Sequence, residues 1–86
     1  MTLQQQRASY DIDKLIETLT RMFTRRPPTG FVVGRTVVRD AVWQLLGVSE
    51  LDAEEIVDTL ILRGRLVFLR PPQEVGYWSF RQAIRC

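Results

Sequence analysis

The side chains of this sequence that could do chemistry are carboxylates and guanidinium groups. Its 86 residues include ten Asp and Glu, twelve Lys and Arg, one cysteine and no histidine. Histidine is the commonest general base, and zinc sites are built mainly from cysteine and histidine. No pair of ionisable groups is placed so that each would shift the other's pKa, as an acid and base pair requires. We therefore predict no catalytic residue, no metal site and no cofactor, and we expect the charges to act in recognition.

The charges are segregated along the chain. Residues 1–47 carry a net +3 from seven Lys/Arg and four Asp/Glu, and residues 63–86 carry a net +4 from five Arg and one Glu. Between them, residues 48–62 hold five acids and no base. The basic flanks are compatible with phosphate binding, whereas the acidic middle should repel a phosphate backbone.

Apolar spacing predicts two helices in the first half of the chain. From Tyr10 to Phe23, apolar residues recur three and four positions apart, until the prolines of "RRPPTG" end the pattern. Ser9 or Asp11 is expected to cap this first helix. A second helix is predicted after "GRT", with Thr36 as its N-cap, ending at Gly47.

The third helix has the clearest start signal. Asp52 and Glu55 have the spacing of a capping box, and Leu51 and Ile56 that of a hydrophobic staple. Gly64 is expected to close the helix. The residues expected to face the core are Ala53, Ile56, Val57, Leu60 and Ile61, which leaves outermost Glu55, Asp58, Thr59 and Leu62.

Three strands are predicted. "FVV", Phe31 to Val33, lies between two glycines, and residues 65–70 and 77–81 form a terminal hairpin around the loop "PPQEVG". The strands carry apolar residues on both faces, although helices should cover only one. We expect the second face to be covered by the C-terminal tail, the N-terminal arm or another subunit.

The order helix, short strand, helix, helix, strand, loop, strand resembles the winged helix-turn-helix superfamily over residues 10–81. The resemblance implies an α+β fold, a three-helix bundle with a small antiparallel sheet and a C-terminal β-hairpin wing. It also implies that the second and third helices form the helix-turn-helix, joined through "LGVSELD", and that the third helix recognises DNA. The chain departs from the family pattern at the wing, where "PPQEVG" offers Glu74 and no cation.

Two functions follow from this resemblance. The first is transcription regulation by DNA binding, with phosphate contacts at the positive start of the second helix and near the wing. The residues predicted for this role are Arg35, Thr36, Arg39, Thr59, Arg65 and Arg70. Arg25 and Arg26 would add to the same basic surface, but scattered solvated arginines are the alternative.

The second function is protein–protein interaction, with a partner protein or a second copy. The residues predicted for this role are Trp43, Glu55, Asp58 and Leu62, together with the outer sheet face. Trp43 falls outside the apolar stripe of its own helix, so it either anchors a partner or packs on the N-terminal arm.

The remaining expectations concern domain limits and location. Residues 1–9 are predicted to form a flexible arm, residues 10–81 a single domain and residues 82–86 a tail ending in Cys86. No apolar run approaches the roughly 18 residues of a membrane helix, and no secretory signal opens the chain. We therefore expect a cytoplasmic protein without a membrane partner or an evident small-molecule ligand.

Overall fold

A computed structural model of the protein describes residues 10–82. Within that range the chain is α+β, with three helices and a two-stranded antiparallel sheet, and this arrangement is compatible with a winged-helix-like layout. The elements are α1 (Ile12–Met22), α2 (Phe31–Leu46), α3 (Glu50–Leu62), β1 (Leu66–Leu69) and β2 (Tyr77–Phe80). The predicted α+β class is confirmed, while the predicted arm at residues 1–9 lies outside the described residues.

Helix α1 begins where the sequence indicated. The Asp11 carboxylate accepts hydrogen bonds from the backbone N–H groups of Asp13 and Lys14, at 2.9 and 3.3 Å. It therefore satisfies two of the N–H groups that have no partner inside the helix. The buried face consists of Leu15, Ile16 and Leu19.

The predicted strand at residues 31–33 is wrong, because helix α2 begins at Phe31. Val32 and Val33 are each 70% exposed in the first turn of the helix. Valine favours strands mainly where its side chain packs against neighbours, and these two side chains have little such packing. Gly34 requires the helix to start this early. A Cβ at this position would lie 2.8 Å from the Trp78 ring and 2.9 Å from the Thr29 carbonyl oxygen, so only glycine allows this approach.

The short strand-like pairing lies just before α2 instead. Thr29 forms an antiparallel bridge with Tyr77. The N–H of Gly30 donates to the carbonyl of Gly76 at 2.8 Å, and the N–H of Trp78 donates to the carbonyl of Pro28 at 2.9 Å. Residues 28–30, just before the helix, therefore pair with β2 and extend the sheet on that side.

The predicted cap at Thr36 is also wrong. Gly30 is the N-cap of α2, and Thr36 lies inside the helix with its hydroxyl donating to the carbonyl of Val32 at 3.1 Å. The positive end of the helix dipole is therefore at Phe31, more than a turn before Thr36.

Helix α3 starts three residues earlier than the capping-box pattern indicated. Its N-cap is Ser49, whose hydroxyl accepts a hydrogen bond from the N–H of Asp52 at 3.1 Å. Ser49 has the same three-residue spacing to an acidic residue and is the more usual N-cap type, which explains the shift. The predicted staple at Leu51 is wrong, because this side chain is 69% exposed.

The inner face and the end of α3 agree with the sequence. Four of the five predicted core residues are buried, and the fifth, Ile61, is half-buried. After Leu62, the N–H groups of Gly64 and Arg65 donate to the carbonyls of Ile61 and Leu60, at 3.0 and 2.9 Å. With Gly64 at φ +71°, this is a Schellman motif, which needs a left-handed residue.

The terminal hairpin is confirmed. Strands β1 and β2 are antiparallel, with Leu66 opposite Phe80 and Phe68 opposite Trp78. These four side chains share the face that packs on the helices, since Leu66 and Trp78 are buried and the other two pack against the core. Trp78 also donates from its indole Nε1 to the carbonyl of Phe31 at 3.1 Å, which joins β2 to the start of α2.

The opposite sheet face is only partly covered among the described residues. Val67, Leu69 and Tyr77 alternate with the core-facing residues and are half-buried. The predicted covering by the arm falls on residues 1–9, and most of the tail falls on residues 83–86. Both of these ranges lie outside the described residues.

Candidate functional site

The outward surface formed by α2 and α3 brings together most of the predicted site residues. In the sequence, Arg35 and Arg39 were candidates for phosphate contacts, whereas Asp58 was a candidate for protein contact. In the structure, Arg35 pairs with Asp58 across the two helices. Arg39 pairs instead with Asp40 of its own helix and, at 3.8 Å, with Glu50 of α3.

Arg35 links α2 to α3 through two carboxylates. Its Nη1 lies 2.8 Å from Oε1 of Glu54, and its Nη2 donates to Oδ1 of Asp58. The Arg35 side chain is 25% exposed, against 61% for Asp58. The planar guanidinium group suits such a double contact, and it neutralises part of the acidic helix.

Arg39, one turn later, also lies between two carboxylates, one in α2 and one in α3. Its Nη2 lies 2.9 Å from Oδ1 of Asp40, and its Nη1 lies 3.8 Å from Oε1 of Glu50. The hydrogen bond with Asp40 raises the pKa of Arg39, and the charges of Asp40 and Glu50 act in the same direction. Arg39 is therefore a permanent cation whose charge is already shared with two carboxylates.

The outer face of α3 combines acidic and apolar side chains. Leu62 is 87% exposed and Leu51 is 69% exposed, while Glu55 and Asp58 are exposed between them. Thr59 is half-buried, and its hydroxyl donates to the carbonyl of Glu55 at 3.0 Å. The predicted outward positions of Glu55, Asp58 and Leu62 are confirmed.

The outward position of Leu51 was missed because the sequence placed this residue before the start of the helix. With Ser49 as the N-cap, a rotation of 100° per residue places Leu51 beside Glu55 and Leu62 on the outer face. The serine three residues before Asp52 is the sequence signal that could have shown this.

Trp43 lies on the solvent side of α2. Its side chain is 42% exposed within the described structure, which is a large area for an indole. Arg39, one turn before it, is directed to Asp40 and Glu50. Among residues 10–82, Trp43 is thus exposed at the end of α2 that leads into α3.

Arg65 has a structural position. Its Nη2 lies 2.7 Å from Oδ1 of Asp13, its Nε donates to the carbonyl of Arg81 at 2.8 Å, and its side chain is 13% exposed. It joins the base of the hairpin to the first turn of α1. A phosphate could reach this guanidinium group only by displacing these contacts.

Arg70 is exposed at the end of β1 and lines an open groove with Phe31, Phe68 and Glu74. Between residues 10 and 82, the exposed arginines whose side chains form no ion pair are Arg25, Arg26, Arg63, Arg70 and Arg81. They lie at the ends of helices and strands, whereas the arginines of α2 are paired.

No group of His, Cys, Asp and Glu among the described residues is arranged to hold a metal ion. None of the helices described has the length and apolar character required to cross a membrane.

Comparisons of the chain with models of protein families, with curated proteins and with solved structures found no match.

Proposed function

We propose that this chain is a non-enzymatic protein-interaction module with a winged-helix fold. In this proposal, the outer face of α3 is the contact surface for a protein partner, and Trp43 extends that surface. The observation that carries the proposal is the chemistry of α3, in which two highly exposed leucines flank exposed carboxylates on the helix that would enter a DNA groove.

The pairing of the α2 arginines supports a protein partner over DNA. DNA affinity comes largely from Lys and Arg side chains that displace counterions from phosphates. Arg35 and Arg39 are each bound to two carboxylates, so they would have to give up these contacts to reach a phosphate. The acidic side chains around them would repel the same phosphate.

The exposed apolar side chains support it in a second way. Leu62, Leu51 and Trp43 are 87%, 69% and 42% exposed, although burying a leucine contributes about 1.5–3 kcal/mol. Exposed apolar groups of this size that lie among charged ones are typical of interaction surfaces.

Photocrosslinking in the native cells tests this proposal. A benzoylphenylalanine placed at position 62 should crosslink to a distinct partner protein after irradiation, because this position lies inside the proposed contact. The matched control is position 75, where the native valine is 69% exposed against 87% for Leu62, and which lies on the hairpin loop. Crosslinking that is absent at 62, or equal at 62 and 75, would overturn the proposal.

DNA binding remains the second candidate function, because five exposed arginines form no ion pair in residues 10–82. The predicted phosphate contacts at Arg35, Thr36, Arg39, Thr59, Arg65 and Arg70 stay predictions. Fluorescence anisotropy with a random duplex distinguishes the two functions. DNA binding requires affinity in the micromolar range at about 50 mM salt that falls steeply at about 200 mM. The protein-interaction proposal expects no such binding.

A further inference from the structure

Four residues form a single line along the outer face of α3. Leu51, Glu55, Asp58 and Leu62 are spaced four, three and four positions apart. At 100° per residue, they fall within a sector of about 60° that lies opposite the buried face, and they span about 16 Å along the helix. The line has an exposed leucine at each end and two carboxylates in the middle.

This spacing is the one by which one helix packs along another. Contacts at alternating steps of three and four residues form the seam of a two-helix interface, where each side chain meets side chains of the facing helix. Leucines at the ends of such a seam bury apolar area. Acidic residues in its middle lose water and therefore need cations opposite them.

The charge around the seam defines the partner further. Helix α3 has five acidic residues and no basic one. Of the two α2 arginines beside it, Arg39 also shares its charge with Asp40. Asp58 contacts Arg35 through a single oxygen, Oδ1, and its side chain remains 61% exposed. The five carboxylates of α3 outnumber the two guanidinium groups of Arg35 and Arg39 beside them, so an acidic partner would be repelled.

We infer that the outer line of α3 binds a basic amphipathic helix of a partner protein. The matching helix has apolar, basic, basic and apolar residues at the same four, three and four spacing. The apolar residues pack on Leu51 and Leu62, while the basic ones pair with Glu55 and Asp58. This inference rests on the proposed function and adds the chemical class and the spacing of the partner.

Three labelled helical peptides test the inference against the full-length chain. The first carries Leu, Lys, Lys and Leu at the four positions, the second Leu, Glu, Glu and Leu, and the third Ala, Lys, Lys and Ala. The first should bind about tenfold more tightly than either of the others, because it alone matches both the leucines and the carboxylates. Fluorescence anisotropy at about 50 mM and about 200 mM salt should show its affinity fall as the carboxylates are screened.

Protein variants test whether the first peptide binds at the outer line of α3. Leu62→Ala and Asp58→Asn should each weaken binding of the first peptide several-fold. The control variant Val75→Ala removes a side chain of similar exposure on the hairpin loop and should leave the affinity unchanged. Circular dichroism verifies that each variant is folded.

Three results would overturn the inference: no binding of the first peptide, equal binding of the peptide that lacks leucines, or an equal loss in Val75→Ala. If the first peptide does not bind but position 62 still crosslinks to a partner protein, the protein-interaction function is retained and only the basic helix is rejected as the partner's binding element. Failure of both experiments would remove the function as well.

Discussion

At the scale of single residues, the function of an arginine depends on what surrounds its guanidinium group. Arg35 and Arg39 in α2 and Arg65 at the hairpin each hold carboxylates, and Arg35 and Arg65 are 25% and 13% exposed. Arg63 and Arg70 are exposed and have no such contact among the described residues. Residues of one type therefore divide into those that hold the fold together and those available to a partner.

Replacing Arg35 tests this division. Arg35→Met keeps most of the aliphatic stem and removes the link to Glu54 and Asp58, so the free energy of unfolding should fall by about 1 kcal/mol. Urea denaturation measures it, and the difference from wild type should shrink at high salt. The control Arg63→Met should change stability by less than about 0.5 kcal/mol. Equal stability of the two variants would contradict a structural role for Arg35.

At the scale of elements, close packing decides where α2 begins. "FVV" has the composition of a strand, but its valines are exposed. No packing contact of these valines in the described structure would stabilise a strand there. Gly34 packs beneath Trp78, and this contact fixes the chain at the start of the helix. Strand pairing is limited to Thr29 and its neighbours, next to β2.

Two substitutions distinguish a helix from a strand in this segment. Val33→Ala should stabilise the protein by about 0.5 kcal/mol, because alanine is the better helix former and the side chain is exposed. In a strand, the same change would destabilise it. Gly34→Ala should cost about 1–3 kcal/mol, because its Cβ would overlap Trp78 and Thr29. Thermal unfolding of both variants measures these signs, and a destabilising Val33→Ala would contradict the early start of α2.

At the scale of the whole molecule, the acidic helix and the basic groups are arranged around one core. The core consists of apolar side chains from all three helices and both strands. The two tryptophans occupy opposite environments around it. Trp78 is 2% exposed and contacts the rings of Phe31 and Phe68, whereas Trp43 is 42% exposed on the proposed contact surface.

Tryptophan fluorescence tests this arrangement directly. The variant Trp43→Phe retains only Trp78, so its emission should lie at shorter wavelength and acrylamide should quench it weakly. Trp78→Phe retains only Trp43, which should emit at longer wavelength and be quenched readily, provided that circular dichroism shows a folded protein. Equal quenching of the two variants would contradict the placement of the tryptophans.

The sequence by itself determined the local features of this protein. The three-residue and four-residue spacing predicted α1 and the buried face of α3, and the turn-flanked apolar runs predicted the hairpin. The exposure of Leu62 also follows from its position outside the buried face of α3, whereas for Trp43 the sequence left open whether it is exposed or packs on the N-terminal arm. These features could be predicted because helix and strand periodicity act over only a few residues.

Only the tertiary structure decided the start of α2 and the partners of its arginines. The position of Gly34 depends on Trp78, which is far along the chain, and Arg35 pairs with acids 19 and 23 residues away. Net charge and spacing do not show such pairs, because the distance between two charged groups is set by how separate helices pack. Arg35 and Arg39, which the sequence indicated as phosphate contacts, are for this reason found in ion pairs with carboxylates that the sequence did not assign to them.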